Sequence, residues 1–257
     1  MAEQLNRCWR VCATALCFSS FGLGGLLLRV LVFPALHLLV RQECQRVRLA
    51  RWLIRGSFRG FVALMHGLGV MHYETRGLEK LQRRGLLILA NHPSLIDVVL
   101  LMAFVEHADC IVKASLARNP FTRGPVRAAG FVCNDSGAGL VGDCIASLRA
   151  GSNLIIFPEG TRTPACGPMR LQRGAANVAV RGGLDVTPVR IRVSPPTLGK
   201  GGKWWHVPTR RALFTIDVGD DIPVGRFAHP GGNAPLAARR LTEHLEAHFS
   251  MERPRAA

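Results

Sequence analysis

Residues 86–90, Leu-Leu-Ile-Leu-Ala, form an apolar run that stops at Asn91-His92-Pro93. A turn-like Arg83-Arg84-Gly85 precedes it. An apolar run this short, between turn signals, fits a fully buried strand. Pro93 and Ser94 then read as a helix start. Proline is preset for a first turn, and a serine oxygen can accept a backbone N–H bond. Ile96 to Phe104 supplies an apolar helix. His92 therefore falls at the carboxyl end of a strand, where open α/β sheets hold their ligands. Asp97 follows about one helical turn into the helix, within reach of the imidazole. A carboxylate beside an imidazole fixes its tautomer and stabilises its protonated form, which is a general-base arrangement. A helix-capping histidine near an unrelated surface aspartate explains the same two residues, and for an isolated pair it is the better explanation.

A second stretch changes that balance. Asn153 to Thr163, NLIIFPEGTRT, again runs from an apolar strand into a polar turn. Gly160 allows close backbone approach, and Arg162 carries a planar fork suited to phosphate or carboxylate. The plain alternative is a tight turn with a surface Arg and Glu.

The rest of the chain alternates in the same way. Strands are expected at 86–90, 110–114, 131–133, 153–157, 186–193 and 212–218. Helices are expected at 94–106, 138–149, 173–181 and 235–249. Such alternation argues an α/β fold with a largely parallel sheet flanked by helices. The chain has 257 residues. That length buries one good core and needs no second. Ser194 to Thr209 reads as a loop rich in Pro, Gly and Lys that carries Trp204-Trp205. Those two rings suit either a membrane interface or a patch packed over the sheet.

The first 70 residues differ in character from 71–257, the expected catalytic domain. Val11 to Leu28 holds no charged residue, long enough to be a candidate membrane span. Arg29 interrupts, Pro34 signals a kink, and Arg41 opens a basic stretch. Arginine-rich flanks on both sides disfavour a simple span. A helical hairpin in one leaflet, turning near Gly22 to Gly25 or near Arg29 to Pro34, is the expectation. A transmembrane anchor is the close alternative, and a buried soluble helix the third. Arg41 to Met65 spaces Val47, Ala50, Ile54, Phe58, Phe61 and Met65 as one helical face, with Arg48, Arg51, Arg55 and Arg59 on another. That helix suits the bilayer interface and a soluble core about equally.

The blocks NHPSLID and FPEGTRT, in this order, resemble those of the glycerolipid acyltransferase family, best known from lysophosphatidic acid acyltransferases. Val112-Lys113 with Leu116, Pro120, Gly124 and Gly130 resembles the block between them, and Val186-Thr187-Pro188-Val189 the proline-centred strand that follows. The resemblance covers about Leu86 to Ile191. It implies acyl transfer, with His92 as base and Asp97 orienting it. It also implies Glu159, Gly160, Thr161 and Arg162 as the acceptor-binding block, with Lys113 and Arg123 assisting on the acceptor phosphate. The donor implied is acyl-CoA or acyl carrier protein, as co-substrate, with no other cofactor. One departure stands out: where the family often carries an Arg after a hydrophobic strand, Phe131-Val132-Cys133 runs into Asn134-Asp135. That opens a phosphate-free lysolipid, lyso-ornithine or aryl-polyene-related, beside 1-acylglycerol-3-phosphate.

Formal net charge is +16. A basic, apolar-rich chain suits an anionic membrane or an acidic carrier, at the cytoplasmic face of an inner membrane. With aromatics at 7%, no stacking platform for nucleic acid is visible, and none is expected as a partner. A non-catalytic lipid- or carrier-binding scaffold on the same fold would be expected to have lost one of His92, Asp97, Glu159 and Arg162. The eight cysteines form no CxxC pair, against zinc-ribbon and redox motifs. No GxSxG elbow occurs, and His92 and Asp97 lack an obvious third metal ligand. Helix-start N–H groups beyond Pro93 are candidates for favouring nearby negative charge.

Overall fold

The computed structural model describes residues 2–115, 122–134, 137–164, 169–227 and 232–250. Leu116, Pro120, Asp135 and Cys166, along with the tail from Met251, lie outside the described residues.

Buried apolar strands organise the fold. Six strands form one sheet: β1 (Met71–Arg76), β2 (Leu87–Ala90), β3 (Ala108–Cys110), β4 (Asn153–Ile156), β5 (Val186–Ser194) and β6 (Ala212–Val218). Their spatial order is β1-β6-β5-β2-β4-β3. β2, β3, β4 and β5 run parallel, and β1 runs parallel to β6. β6 pairs with β5 antiparallel, so the sheet is mixed but mostly parallel. β2 and β4 are buried along their whole length, as expected for strands covered on both faces. Ile88, Ala90 and Ile155 face one core layer, and Leu87, Leu89, Leu154 and Ile156 the other.

Helices cover both faces. α1 (Ala2–Leu27), α2 (Phe33–Leu39), α3 (Glu43–Gly67) and α4 (Asp97–Phe104) come first, followed by α5 (Arg123–Ala129). α6 (Leu140–Arg149), α7 (Gly174–Gly182) and α8 (Ala234–Ser250) follow among the described residues. β1 and α5 were not expected. β1 shows alternating burial, a period-2 signal that its polar His72, Glu74 and Arg76 mask in composition. The strand expected at 131–133 amounts to a single parallel bridge from Cys133 to Val112, and the strand expected at 110–114 lies mostly upstream, as β3, sharing only Cys110 with that range.

The hairpin turn is not where the sequence suggested. Backbone through Gly22 to Gly25 is α-helical, and Leu28–Val32 is a π-helical turn leading directly into α2, with Pro34 in its first turn. The chain reverses only at Val40–Gln42, so α3 is the returning arm. Gln4–Leu39 is long and apolar enough to cross a membrane, and its most apolar window is 11% buried. Cys17 and Phe33 reach the core, whereas Leu16, Phe21, Leu23, Leu38 and Leu39 are exposed.

One face of α3 packs inward on the core. Ala50, Ile54, Phe61, Val62 and Met65 are buried. Arg51 donates to Asp109 at 3.0 Å, Ser152 at 2.7 Å and the Ala129 carbonyl at 2.8 Å. Arg55 pairs with Glu106 at 2.8 Å. Only Arg48 and Arg59 of that face are exposed. Packing also crosses residue 70: Ile54, Phe61 and Met65 share one apolar cluster with Met71, Ile88 and Leu100.

Candidate active site

The register of β2 beside β4 pairs Leu89 with Ile156, so the two following turns emerge side by side at the strands' carboxyl ends. Asn91 first locks the end of β2 to β5. Its side-chain amide donates to the Ile191 carbonyl at 2.8 Å and accepts from the Ile191 N–H at 2.7 Å. His92 then projects between the turns, its ring 4.4 Å from that of Phe157.

His92 Nδ1 lies 3.0 Å from Asp97 Oδ2. The imidazole is 15% exposed and the Asp97 side chain is fully buried. The helix starts later than expected, at Asp97 itself, and ends at Phe104. Asp97 Oδ2 also accepts the Ser94 N–H at 2.6 Å, a side chain reaching back three residues as in a capping box. The reciprocal bond is missing, because Ser94 Oγ has no partner among the described residues. Ser94 thus does not cap through its hydroxyl as the sequence suggested. Burial pushes the Asp97 carboxyl above the usual aspartate range, against the opposing pull of the bonds from His92 and Ser94, and nearby Glu159 adds to the rise. The N–H groups of Ser94 and Leu95 are already engaged, with Asp97 and with the Leu198 carbonyl at 3.1 Å, which removes both as anion donors.

Glu159 turns inward. It is 6% exposed, and its Oε1 accepts the His92 N–H at 3.0 Å. The Thr163 hydroxyl donates to the same oxygen at 2.5 Å and itself accepts the His92 N–H at 3.1 Å. The Thr163 N–H closes the ring on the His92 carbonyl at 2.7 Å. Thr163 went unremarked in the sequence; its hydroxyl four residues beyond Glu159 was the available signal. Gly160 takes φ +66, and a Cβ there would lie 2.6 Å from Gln172 Nε2. Gly160 and Thr161 are exposed.

Arg162 Nη1 donates to the carbonyls of Leu198 at 3.0 Å and Gly199 at 2.8 Å. Its Nε and Nη2 make no bond to the described residues. Lys113 is exposed just past the β3 end of the sheet, and Arg123 is exposed at the start of α5, which packs on α3, α2 and the π-helical turn. Asn134 is spent on the backbone: its Oδ1 accepts the Ala114 N–H at 2.8 Å.

Beside the site lies an apolar cavity of about 350 Å³ between α1, α3, α4 and α5. Val98, adjacent to Asp97, lines it with Phe21, Phe61, Met102, Cys110 and Phe131.

A buried carboxylate holding an imidazole at the mouth of a mostly parallel sheet defines an α/β enzyme site equipped for proton abstraction. The comparisons narrow the class. Residues 72–192 match the family model Acyltransferase. The chain is 27% identical over 206 residues to the 1-acyl-sn-glycerol-3-phosphate acyltransferase of Pseudomonas aeruginosa, covering 78% of this chain and 76% of that protein. It shares its fold with the crystal structure of the 1-acyl-sn-glycerophosphate (LPA) acyltransferase PlsC of Thermotoga maritima. There the TM-score is 0.68 at 18% identity, over 98% of this chain and 100% of that one. The protein is an acyltransferase, similar across residues 72–192 to the acyltransferase family and to proteins named as lysophosphatidic acid acyltransferases.

Proposed function

We propose that the protein moves a fatty acyl group from acyl-CoA or acyl carrier protein to the hydroxyl of 1-acylglycerol-3-phosphate, at a membrane surface, in phospholipid biosynthesis. The observation that carries this reading is the partly exposed His92 held by buried Asp97, with an apolar cavity lined by the neighbouring Val98. His92 Nε2 takes the acceptor hydroxyl proton as the oxygen attacks the thioester carbonyl. That attack forms the ester C–O bond and a tetrahedral intermediate, whose collapse restores the carbonyl and breaks the C–S bond. The imidazolium returns its proton to the departing thiolate. Asp97 holds Nδ1–H and offsets the transient positive charge. The apolar cavity is sized for a hydrocarbon chain. The two unengaged nitrogens of Arg162 supply a fork for the acceptor phosphate. The exposed apolar residues of α1 and α2 favour membrane association.

A second acceptor class, a phosphate-free lysolipid, has one observation in its favour: Asn134 stands where the family often has a cation, and its side chain serves the Ala114 backbone. One assay separates the two. Purified protein is offered labelled acyl-CoA or acyl carrier protein with lysophosphatidic acid or lyso-ornithine lipid. His92-dependent product from lysophosphatidic acid is expected, and Arg162→Ala should weaken that acceptor far more than the neutral one. Product from the neutral acceptor alone overturns the assignment.

A further inference from the structure

The loop Ser194–Thr209 takes no part in the chemistry above, yet it bridges two regions that do matter. No Asp or Glu occurs between Asp185 and Asp217, while Lys200, Lys203, Arg210 and Arg211 are all exposed. Trp204 and Trp205 are 42% and 46% exposed and meet edge to face at 5.4 Å. The Lys203 ammonium sits 5.4 Å from the Trp205 ring. On one flank the loop is tied to α1: Trp204 lies 6.1 Å from Phe18, and Arg10 donates to the Thr209 carbonyl at 2.5 Å. That contact ties the tryptophan pair to α1, which also exposes the apolar Leu16 and Leu23. On the other flank, buried Leu198 and half-buried Gly199 give their carbonyls to Arg162, and Leu198 also accepts the Leu95 N–H.

We propose that this loop is a second bilayer-docking element, which seats its tryptophans at the headgroup level of an anionic membrane and fixes the height of Arg162 above it. The inference rests on the membrane reading given above and extends it from α1–α2 to a site-bearing loop. Indole rings favour the membrane–water interface, having an apolar body and one N–H. Basic side chains close to an anionic leaflet are attracted within about one Debye length. An acidic carrier protein would complement the lysines but leave the tryptophans and the α1 face exposed to water. A bilayer covers both. The consequence for the reaction is geometric: a lysolipid keeps its headgroup at the interface, and Arg162 is held to the backbone of the segment that docks there.

The test uses the full chain with Trp9→Phe and Trp52→Phe, leaving Trp204 and Trp205 as the only indoles. Fluorescence is read on phosphatidylcholine vesicles with and without phosphatidylglycerol, carrying bromine at shallow or deep acyl positions, and flotation reports total vesicle binding. Expected is quenching by shallow bromines, stronger on the anionic vesicles. Lys200→Ser with Lys203→Ser should lower partitioning onto those vesicles about 30-fold, at about tenfold per 1.4 kcal/mol. Unquenched tryptophans on protein that floats with the vesicles overturn the loop's role and leave the α1–α2 membrane reading standing. Unquenched tryptophans with loss of acyl carrier protein binding in the lysine variant overturn it in favour of the carrier. Neither readout needs turnover, so failure of the acyl-transfer reading is seen separately.

Discussion

After β2 the chain pushes His92 outward on a turn; after β4 it folds Glu159 inward under that turn. Both segments are four-residue buried strands followed by a proline and an acid. Their acids are used oppositely. Asp97 holds the imidazole, whereas Glu159 holds the peptide N–H behind it. Two strands in register make this division natural. A side chain from one turn can brace the backbone of its neighbour, and a braced backbone fixes the position of a reacting nitrogen. A chemical group in a motif therefore need not face the substrate to matter for the reaction.

Substitutions can break or sharpen that contrast. His92→Ala should have the largest effect, lowering turnover by about 10²–10⁴ with the melting temperature nearly unchanged; turnover like that of the parent protein would remove His92 from the chemistry. Asp97→Asn should cut turnover ~10²-fold through the wrong tautomer, and it should also change the pH dependence of stability. Buried Asp97 keeps its proton to a higher pH in the folded chain than in the unfolded one. Its contribution to stability is complete below about pH 3.9 and is lost as pH rises through the folded titration. The melting temperature of the Asn variant should therefore gain on the parent as pH rises across that window, and a gap independent of pH would contradict it.

Glu159→Ala removes the acceptor for both His92 N–H and the Thr163 hydroxyl. Loss of about 1–3 kcal/mol in denaturant unfolding is expected, together with a fall in turnover. A raised KM at unchanged stability would return Glu159 to direct substrate contact. Gly160→Ala should be the mildest, costing about 1–2 kcal/mol for a left-handed alanine, with Gln172 displaced. No measurable loss would mean that the turn relaxes.

Much of this was legible beforehand. β2, β4, β5 and β6, together with α6, α7 and α8, fall close to their expected positions, because each is a buried or strongly periodic run with clear stop signals. β1 was hidden by its polar alternate residues, and α5 follows residues whose pattern carries no apolar period. At the site, His92 and Asp97 were found from spacing and do meet. The inward turn of Glu159, the brace from Thr163 and the grip of Leu198 and Gly199 on Arg162 were not found. These partners lie up to 71 residues apart, and no local rule links them.

The sequence alone determined where apolar strands end, that His92 and Asp97 share one turn, and that the N-terminal 40 residues are apolar enough to seek lipid or a core. These are local properties, set by hydrophobic period, proline and short spacing. Only the tertiary structure decided that the chain turns at Val40–Gln42, that α3 sends Arg51 and Arg55 inward, and which acid orients the imidazole and which one braces it. Those outcomes depend on strand order and register, which bring distant polar groups together where burial requires them to be paired.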